Sequence, residues 1–374
     1  MSGIYLHIPF CKQACYYCDF HFSTSLKKKS DLVTALVMEL QLRKNELKTP
    51  IETIYFGGGT PSLLTIDEIQ LLLKTITNNY IVVENPEITL EANPDDLSEE
   101  KIIDLSKTPI NRLSIGVQSF FEDDLQLMNR AHNAQEVEKC LTIATPYFDN
   151  ITIDLIYGIP NMSNQKWEAN IDKALAFGIN HVSSYALTVE PKTAYANFIK
   201  KGELDAPKDE VSQQHFEILV QKLKEHNFVH YELSNFGKSN YFSKHNTSYW
   251  LGKHYLGIGP SAHSFNGTTR SWNISNNAQY IKVINSKTLP LTTEILSEND
   301  QFNEYIMTGL RTMFGVSLEK VEKDFGVKFK DYLMQSAAKF IAQNLLIIEN
   351  NILKTTPKGK FLCDGIAADL FLVN

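Results

Sequence analysis

Between residues 4 and 187 short apolar strands alternate with amphipathic helical stretches, and this alternation constrains the fold more than any other feature. The strand candidates are Ile4-Tyr5-Leu6-His7-Ile8, Thr53-Ile54-Tyr55-Phe56, Ile88-Thr89-Leu90-Glu91, Arg112 to Val117, Asn150 to Ile156 and His181 to Leu187. Helices are expected over Asp31 to Leu47, with Ser30 as N-cap, and after Thr65, where Glu68 completes a capping box. Further helices are expected from Ser98 through Leu105, twice between Glu122 and Ala144, and over Gln165 to Phe177. Such repeats give a parallel sheet with helices outside. The expected fold class is therefore α/β, a partial (β/α)6 TIM-like barrel over residues 1–195. Functional groups in such barrels gather where strands end and loops begin.

The rest divides in two. Residues 196–297 lose the alternation, and the Asn-, Ser-, Gly-, His- and aromatic-rich stretch from Ser234 to Asn277 reads as a functional surface in an irregular extension. Residues 298–374 predict helices near Asn299–Phe314, Ser317–Phe325 and Lys328–Gln343, a hairpin around Glu349-Asn350-Asn351 and a last helix from Lys358 to Leu370. Together these resemble a winged helix, an α+β domain. From Glu298 onward nine Lys and Arg face ten Asp and Glu, so the basic footprint of a nucleic-acid partner is missing. The tail is expected to pack over the cofactor site, with the Lys354–Lys360 wing a solvated turn. The whole 374-residue chain carries a net charge of −7, with no global basic field for nucleic acid or anionic lipid. No apolar run approaches the ~18 residues of a membrane span, and no secretory signal is legible. The expected location is the cytoplasm.

Of five cysteines, three fall within eight residues, as Cys11-x3-Cys15-x2-Cys18. An odd cluster in a large chain without a secretory signal argues for metal or cofactor ligation rather than disulfides. Three thiolates leave one iron of a [4Fe–4S] cubane open to a small chelator. The alternative is a structural zinc site completed by His7 or His21. Cys140 and Cys363 lie on apolar helical faces and read as core thiols.

The run Tyr5-Leu6-His7-Ile8-Pro9-Phe10-Cys11-x3-Cys15-x-Tyr17-Cys18 resembles the radical S-adenosylmethionine (SAM) superfamily, nearest to the oxygen-independent coproporphyrinogen III oxidase family. That resemblance implies SAM chelated at the open iron and cleaved, with an electron from the cluster, to a 5′-deoxyadenosyl radical. It implies an electron donor as partner. It also implies that Tyr17 lies near the adenine and that Tyr5 precedes the loop as the family's tyrosine. Gly57-Gly58-Gly59-Thr60-Pro61 looks like the family's glycine motif, so Gly58, Gly59 and Thr60 are expected at SAM, the glycines' lack of Cβ atoms letting backbone carbonyls meet its ammonium. Glu91 matches the acid that accepts from the ribose hydroxyls. Gln118, Arg130 and Asp154 also match family motifs, and some relatives place a second SAM there. Asp154, between Ile153 and Leu155, needs a donor partner if buried.

Two departures point to the heme-chaperone branch of that family. Decarboxylating members carry a further cysteine where this chain has Phe20, and they have glutamine and isoleucine near His245 and His263. His245-Asn246-x2-Tyr249-Trp250 resembles the heme-chaperone motif. It implies heme ligated by His245, with Tyr249 and Trp250 stacking on the porphyrin and Asn246 holding a propionate or orienting the imidazole. His263 is placed near either SAM or heme. On this reading heme passes to an acceptor protein, a membrane-bound heme protein among the candidates. The rival is the enzyme itself, oxidatively decarboxylating coproporphyrinogen III to protoporphyrinogen IX.

Overall fold

The computed structural model describes residues 2–373; Met1 and Asn374, the outer limits of the expected domains, lie outside the described residues. Six parallel strands pair in chain order: β1 (Ser2–Ile8), β2 (Ile51–Gly58), β3 (Val82–Ala92), β4 (Arg112–Gln118), β5 (Ile151–Tyr157) and β6 (His181–Ala186). Their crossovers are α1 (Lys29–Leu42), α2 (Ile66–Asn79), α3 (Glu99–Ser106), α4 (Glu122–Leu127), α5 (Ala134–Ala144) and α6 (Asn164–Ala176). Alternate strand residues divide the labour. Ile4, Leu6, Ile8, Leu113, Ile115 and Val117 are fully buried in one apolar cluster with residues of the helical layer such as Leu32, Leu36 and Leu40. The other set is polar or aromatic (Tyr5, His7, Thr53, Tyr55, Glu91, Arg112, Asp154) and faces the inside of the curved sheet. Parallel strands buried on both faces ordinarily read as continuous apolar runs. The alternation here therefore reports a polar interior.

Residues 196–297, which show no legible repeat, extend this sheet at both edges. After α7 (Ala194–Lys200) and α8 (Asp209–Glu225), β7 (Val229–Glu232) and β8 (Asn235–Gly237) add to β6. Next comes α9 (Lys244–Trp250). On the other side β9 (His254–Ile258) pairs in parallel with β1, followed by β10 (His263–Phe265), β11 (Thr269–Asn273), α10 (Asn277–Asn285) and β12 (Leu291–Ile295). Among the described residues the sheet order is β12-β11-β10-β9-β1-β2-β3-β4-β5-β6-β8-β7, an open barrel rather than a closed one.

The tail has its own apolar cluster around Phe302, Leu333 and Leu353. It comprises α11 (Glu298–Leu310), β13 (Val316–Ser317), α12 (Leu318–Phe325), α13 (Val327–Ala342), β14 (Leu346–Glu349), β15 (Ile352–Thr355), α14 (Pro357–Lys360) and α15 (Cys363–Asp369). Asn350 and Asn351 both take positive φ (50° and 63°), as a tight hairpin turn requires. Cys140 and Cys363 are buried.

Four local expectations need correction. A 3-10 turn over Leu26–Lys28 runs straight into α1, so Ser30 sits inside the first turn and caps nothing. That helix stops at Leu42 because Arg43 turns inward to Glu39 (3.0 Å), Glu46 (2.7 Å) and the Gly257 carbonyl (2.8 Å). Lys360 is not solvated: its ammonium meets His230 Nδ1 at 2.9 Å where the tail meets the barrel, and burial lowers its pKa to about 8. The single last helix is two, interrupted at Phe361-Leu362. The capping box at Thr65 forms as the spacing requires, and the structure adds a second at Asn133 with Glu136.

Candidate functional site

The cysteine loop leaves β1 at its C-terminal end and is pinned on several sides. Cys11 N donates to Ser23 O (3.1 Å), Tyr16 N to Met128 O (3.1 Å), and Gln13 Nε2 to Asn129 Oδ1 (2.9 Å). All three loop thiols are free and half-buried. Burial pushes Cys18 up to about 11 and raises Cys11 as well. Neither is then a free thiolate at neutral pH, and a bound metal would supply the positive charge that stabilises one. Arg130 faces this need directly. Its Nη1 donates to Cys15 Sγ (3.2 Å) and to Tyr17 Oη (3.4 Å), and its Nη2 to Asn93 Oδ1 (2.7 Å) and Gly116 O (3.1 Å). Its Nε is buried with no partner. Among the described residues no three His, Cys, Asp or Glu side chains close on a single metal ion. A cubane, broader than an ion, needs anchors that stand farther apart.

The glycine motif is shaped by its neighbours. A Cβ on Gly58 would come within 2.6 Å of His7 Nδ1, at a φ of +113°, and one on Gly59 within 2.7 Å of Phe10 O. The missing side chains therefore let β2 close onto β1 and the start of the cysteine loop. Thr60 Oγ1 donates to Cys11 Sγ (3.5 Å) and accepts from Asn93 Nδ2 (3.2 Å). Glu91 accepts from Tyr55 Oη (2.8 Å) and Gly58 N (3.1 Å), and burial raises it to about 7. Asp154 has its donor, Ser183, and burial raises it to about 6. Gln118, buried at the end of β4, holds a φ of +67°, a strained conformation for a residue with a side chain. Tyr5 stacks on Tyr55 at 6.0 Å and meets His7 Nδ1 at 3.3 Å. The structure thus brings Tyr5, Tyr17, Gly58, Gly59, Thr60, Glu91, Gln118, Arg130 and Asp154 around the inner face beside the three cysteines.

Sequence reasoning missed Asn93, which links Thr60 to Arg130, although it stands two residues after Glu91. It also missed Arg112. That guanidinium is 1% exposed, bonds Thr152 through Nη2, leaves Nε and Nη1 without partners, and favours the ionised forms of Glu91 and Asp154. An arginine opening an apolar strand was the available signal.

The segment around His245 lies deeper. Glu87 accepts from Lys244 N and His245 N (both 3.0 Å), which docks α9 against the lower inner face of β1 and β2. His245 is 1% exposed, stacks on Tyr55 at 4.9 Å, and has both ring nitrogens engaged, Nδ1 with Thr53 Oγ1 (2.7 Å) and Nε2 with Tyr249 Oη (2.8 Å). Ligation of iron through Nε2 would first have to break the Tyr249 bond. The imidazole is oriented by Thr53 and Tyr249, not by Asn246. Tyr249 and Trp250 reach the wall of a cavity of about 910 Å³, which His245 and Asn246 do not line. This cavity lies among the cysteine loop (Phe20, His21), β1 (Tyr5, His7), β10 (His263) and the tail helices (Tyr305, Lys320). Its volume and mixed aromatic and charged lining suit a bulky amphiphilic ligand. Phe20 is 70% exposed at its edge. The tail holds this wall: Arg270 pairs with Glu304 (2.7 Å), and Arg311 lies over the Trp250 ring at 5.2 Å.

A three-cysteine loop at the mouth of a six-stranded parallel barrel, beside a glycine turn and an inward acid, defines the radical SAM class. Residues 5–174 match the model of the Radical SAM superfamily, and residues 296–362 that of the HemN C-terminal domain. The chain is 35% identical over 371 residues to a Bacillus subtilis protein named heme chaperone HemW, covering 97% of each chain. It is 34% identical to the protein of that name from Lactococcus lactis, covering 98% of each. The solved coproporphyrinogen III oxidase HemN of Escherichia coli, a radical SAM enzyme, superposes with a TM-score of 0.85 at 21% identity, over 99% of this chain and 90% of the other, a likeness of fold. The chain belongs to the radical SAM superfamily and, within it, to the HemW family. The radical SAM domain implies a [4Fe–4S] cluster and SAM. Among the described residues no helix is long and apolar enough to cross a membrane.

Proposed function

We propose that this chain is a heme chaperone. It binds heme as cargo in the cavity beside the cysteine loop and passes it to an acceptor protein, a membrane-bound heme protein among the candidates, from the cytoplasm. Residues 1–195 hold the cluster and SAM, while 196–297 and 298–374 enclose the heme together with β1 and the cysteine loop. The observation that carries this reading is the 910 Å³ cavity itself, with the aromatic rings of Tyr249 and Trp250 in its wall and the cations Arg270 and Lys320 lining it, which would have to exchange their partners Glu304 and Asp324 for propionates. The names of the full-length relatives support heme as the cargo.

Cys11, Cys15 and Cys18 anchor the cluster. When bound, the cluster offers an open iron to SAM and an electron from an external donor. The orphaned Nε of Arg130 beside Cys15 suits an anionic group at that place. Gly58, Gly59 and Thr60 present backbone at SAM, Tyr17 flanks the adenine, and Glu91 takes the ribose hydroxyls after releasing Tyr55. Tyr5, Gln118 and Asp154 complete the inner wall. His245 supports the heme site from behind by holding Tyr249, and Asn246 stands at the outer turn of the same helix.

The test is a heme titration of the anaerobically reconstituted protein, followed by incubation with reductant, SAM and coproporphyrinogen III. The expected result is a Soret band that saturates at one heme per chain and no protoporphyrinogen. Protoporphyrinogen formation would establish the decarboxylase instead. A colourless protein carrying zinc on the three cysteines would overturn the cluster.

A further inference from the structure

We infer that the imidazole of His263, not that of His245, ligates the iron of the heme in this cavity. The inference rests on the heme reading above and goes further, by naming the ligating atom's residue. It starts from an inventory of imidazole nitrogens. His245 spends both, on Thr53 and Tyr249, inside a helix that Glu87 ties down. His7, which does line the cavity, spends both as well, Nε2 on His21 O (3.0 Å) and Nδ1 on Tyr5 Oη (3.3 Å). His21 commits Nε2 to Asn277 Oδ1 at 2.7 Å, which leaves it one nitrogen where His263 keeps two.

His263 is different. It lines the cavity, its ring is exposed there, and among the described residues no hydrogen bond occupies either ring nitrogen. The ring still has a defined plane. Its neighbour across the β10–β11 pair is Trp272, and the two rings stack at 5.7 Å with 26° between planes. A stacked imidazole presents its nitrogen-bearing edge sideways, and that edge is what a metal needs. Its half-enclosed position and the Arg270 guanidinium lower its pKa, which favours the neutral, ligating form. Arg270 and Lys320 line the same cavity, paired with Glu304 and Asp324, so propionates could reach cations on the side of the iron's imidazole only by displacing those carboxylates, while Tyr249, Trp250, Phe265 and Phe325 offer aromatic faces.

The experiment compares heme complexes of the full-length reconstituted protein by Soret absorption and low-temperature EPR. For wild type a histidine-ligated spectrum is expected. His263→Ala should lose it and weaken heme binding at least about tenfold, and added free imidazole should restore the wild-type spectrum. His263→Met, which keeps a ligating side chain, should give a methionine-type spectrum. His245→Ala and His21→Ala should retain histidine ligation. An unchanged spectrum in His263→Ala, or loss of ligation in His245→Ala with cluster absorption intact, overturns the inference while leaving heme as cargo. Failure of wild type to bind heme at all overturns the heme reading, and the inference with it.

Discussion

The cysteine loop and α9 look alike in the sequence: each is a short polar stretch with ligating side chains at close spacing. In the structure they differ in what their ligating atoms already touch. The loop's thiols are half-buried at the open end of the barrel, and the groups around them are donors, Arg130 to Cys15 and Thr60 to Cys11. His245 is sealed in the lower barrel with each nitrogen matched to a hydroxyl. The first arrangement is poised to take charge and metal. The second fills the polar interior of an open barrel, where a buried imidazole without partners would be costly. A motif position thus becomes a ligand only if the fold leaves its lone pair free.

The contrast can be broken most sharply at Cys15. Cys15→Ala should reduce iron from about four atoms per chain to near none, with the far-UV circular dichroism unchanged. Retention of a full cluster would remove the loop from the comparison. His245→Ala should do the reverse, keeping iron and sulfide while lowering stability by about 3 kcal/mol through lost packing and two lost hydrogen bonds. Chemical denaturation of the two variants side by side decides whether the two regions divide in this way.

Glu91 sharpens the comparison from within the barrel. Burial raises its pKa from 4.5 to about 7, so the folded state holds its proton more tightly than the unfolded chain does. Its contribution to stability is fully present below pH 4.5 and lost as pH rises through about 7. Asp154, raised from 3.8 to about 6, adds a slope of the same sign. Without SAM, Glu91→Gln should therefore flatten, not abolish, the fall in denaturation midpoint on raising the pH, by on the order of 2 kcal/mol. A slope equal to that of wild type would place the Glu91 carboxyl in water. The smallest effect is expected at Phe20. Phe20→Cys introduces the thiol that the family resemblance implies for a decarboxylase but leaves His245 and His263 in place, and no protoporphyrinogen should form. Turnover in that variant would mean that one side chain on the loop separates the two activities.

Much of this was legible in the chain. The six βα repeats, the capping box at Thr65 and the tail's hairpin turn follow from spacing within a few residues, and all are present. The extension was not legible. Its strands β7–β12 are short, and the two joins that attach them to the barrel sheet, β8 to β6 and β9 to β1, pair segments far apart in sequence. Lys360 reads as a solvated wing residue because nothing nearby in the chain reveals His230, 130 positions earlier.

By itself the sequence determined the βα architecture and the triplet Cys11, Cys15 and Cys18, because periodicity and loop spacing are local properties of a polymer. Only the tertiary structure decided which of the cavity's imidazoles keeps both nitrogens free among the described residues. Thr53 reaches His245 across 192 residues, and Trp272 orients His263 from the neighbouring strand. Whether a lone pair is spent or available depends on such distant partners, brought together by the burial of both faces of one curved sheet.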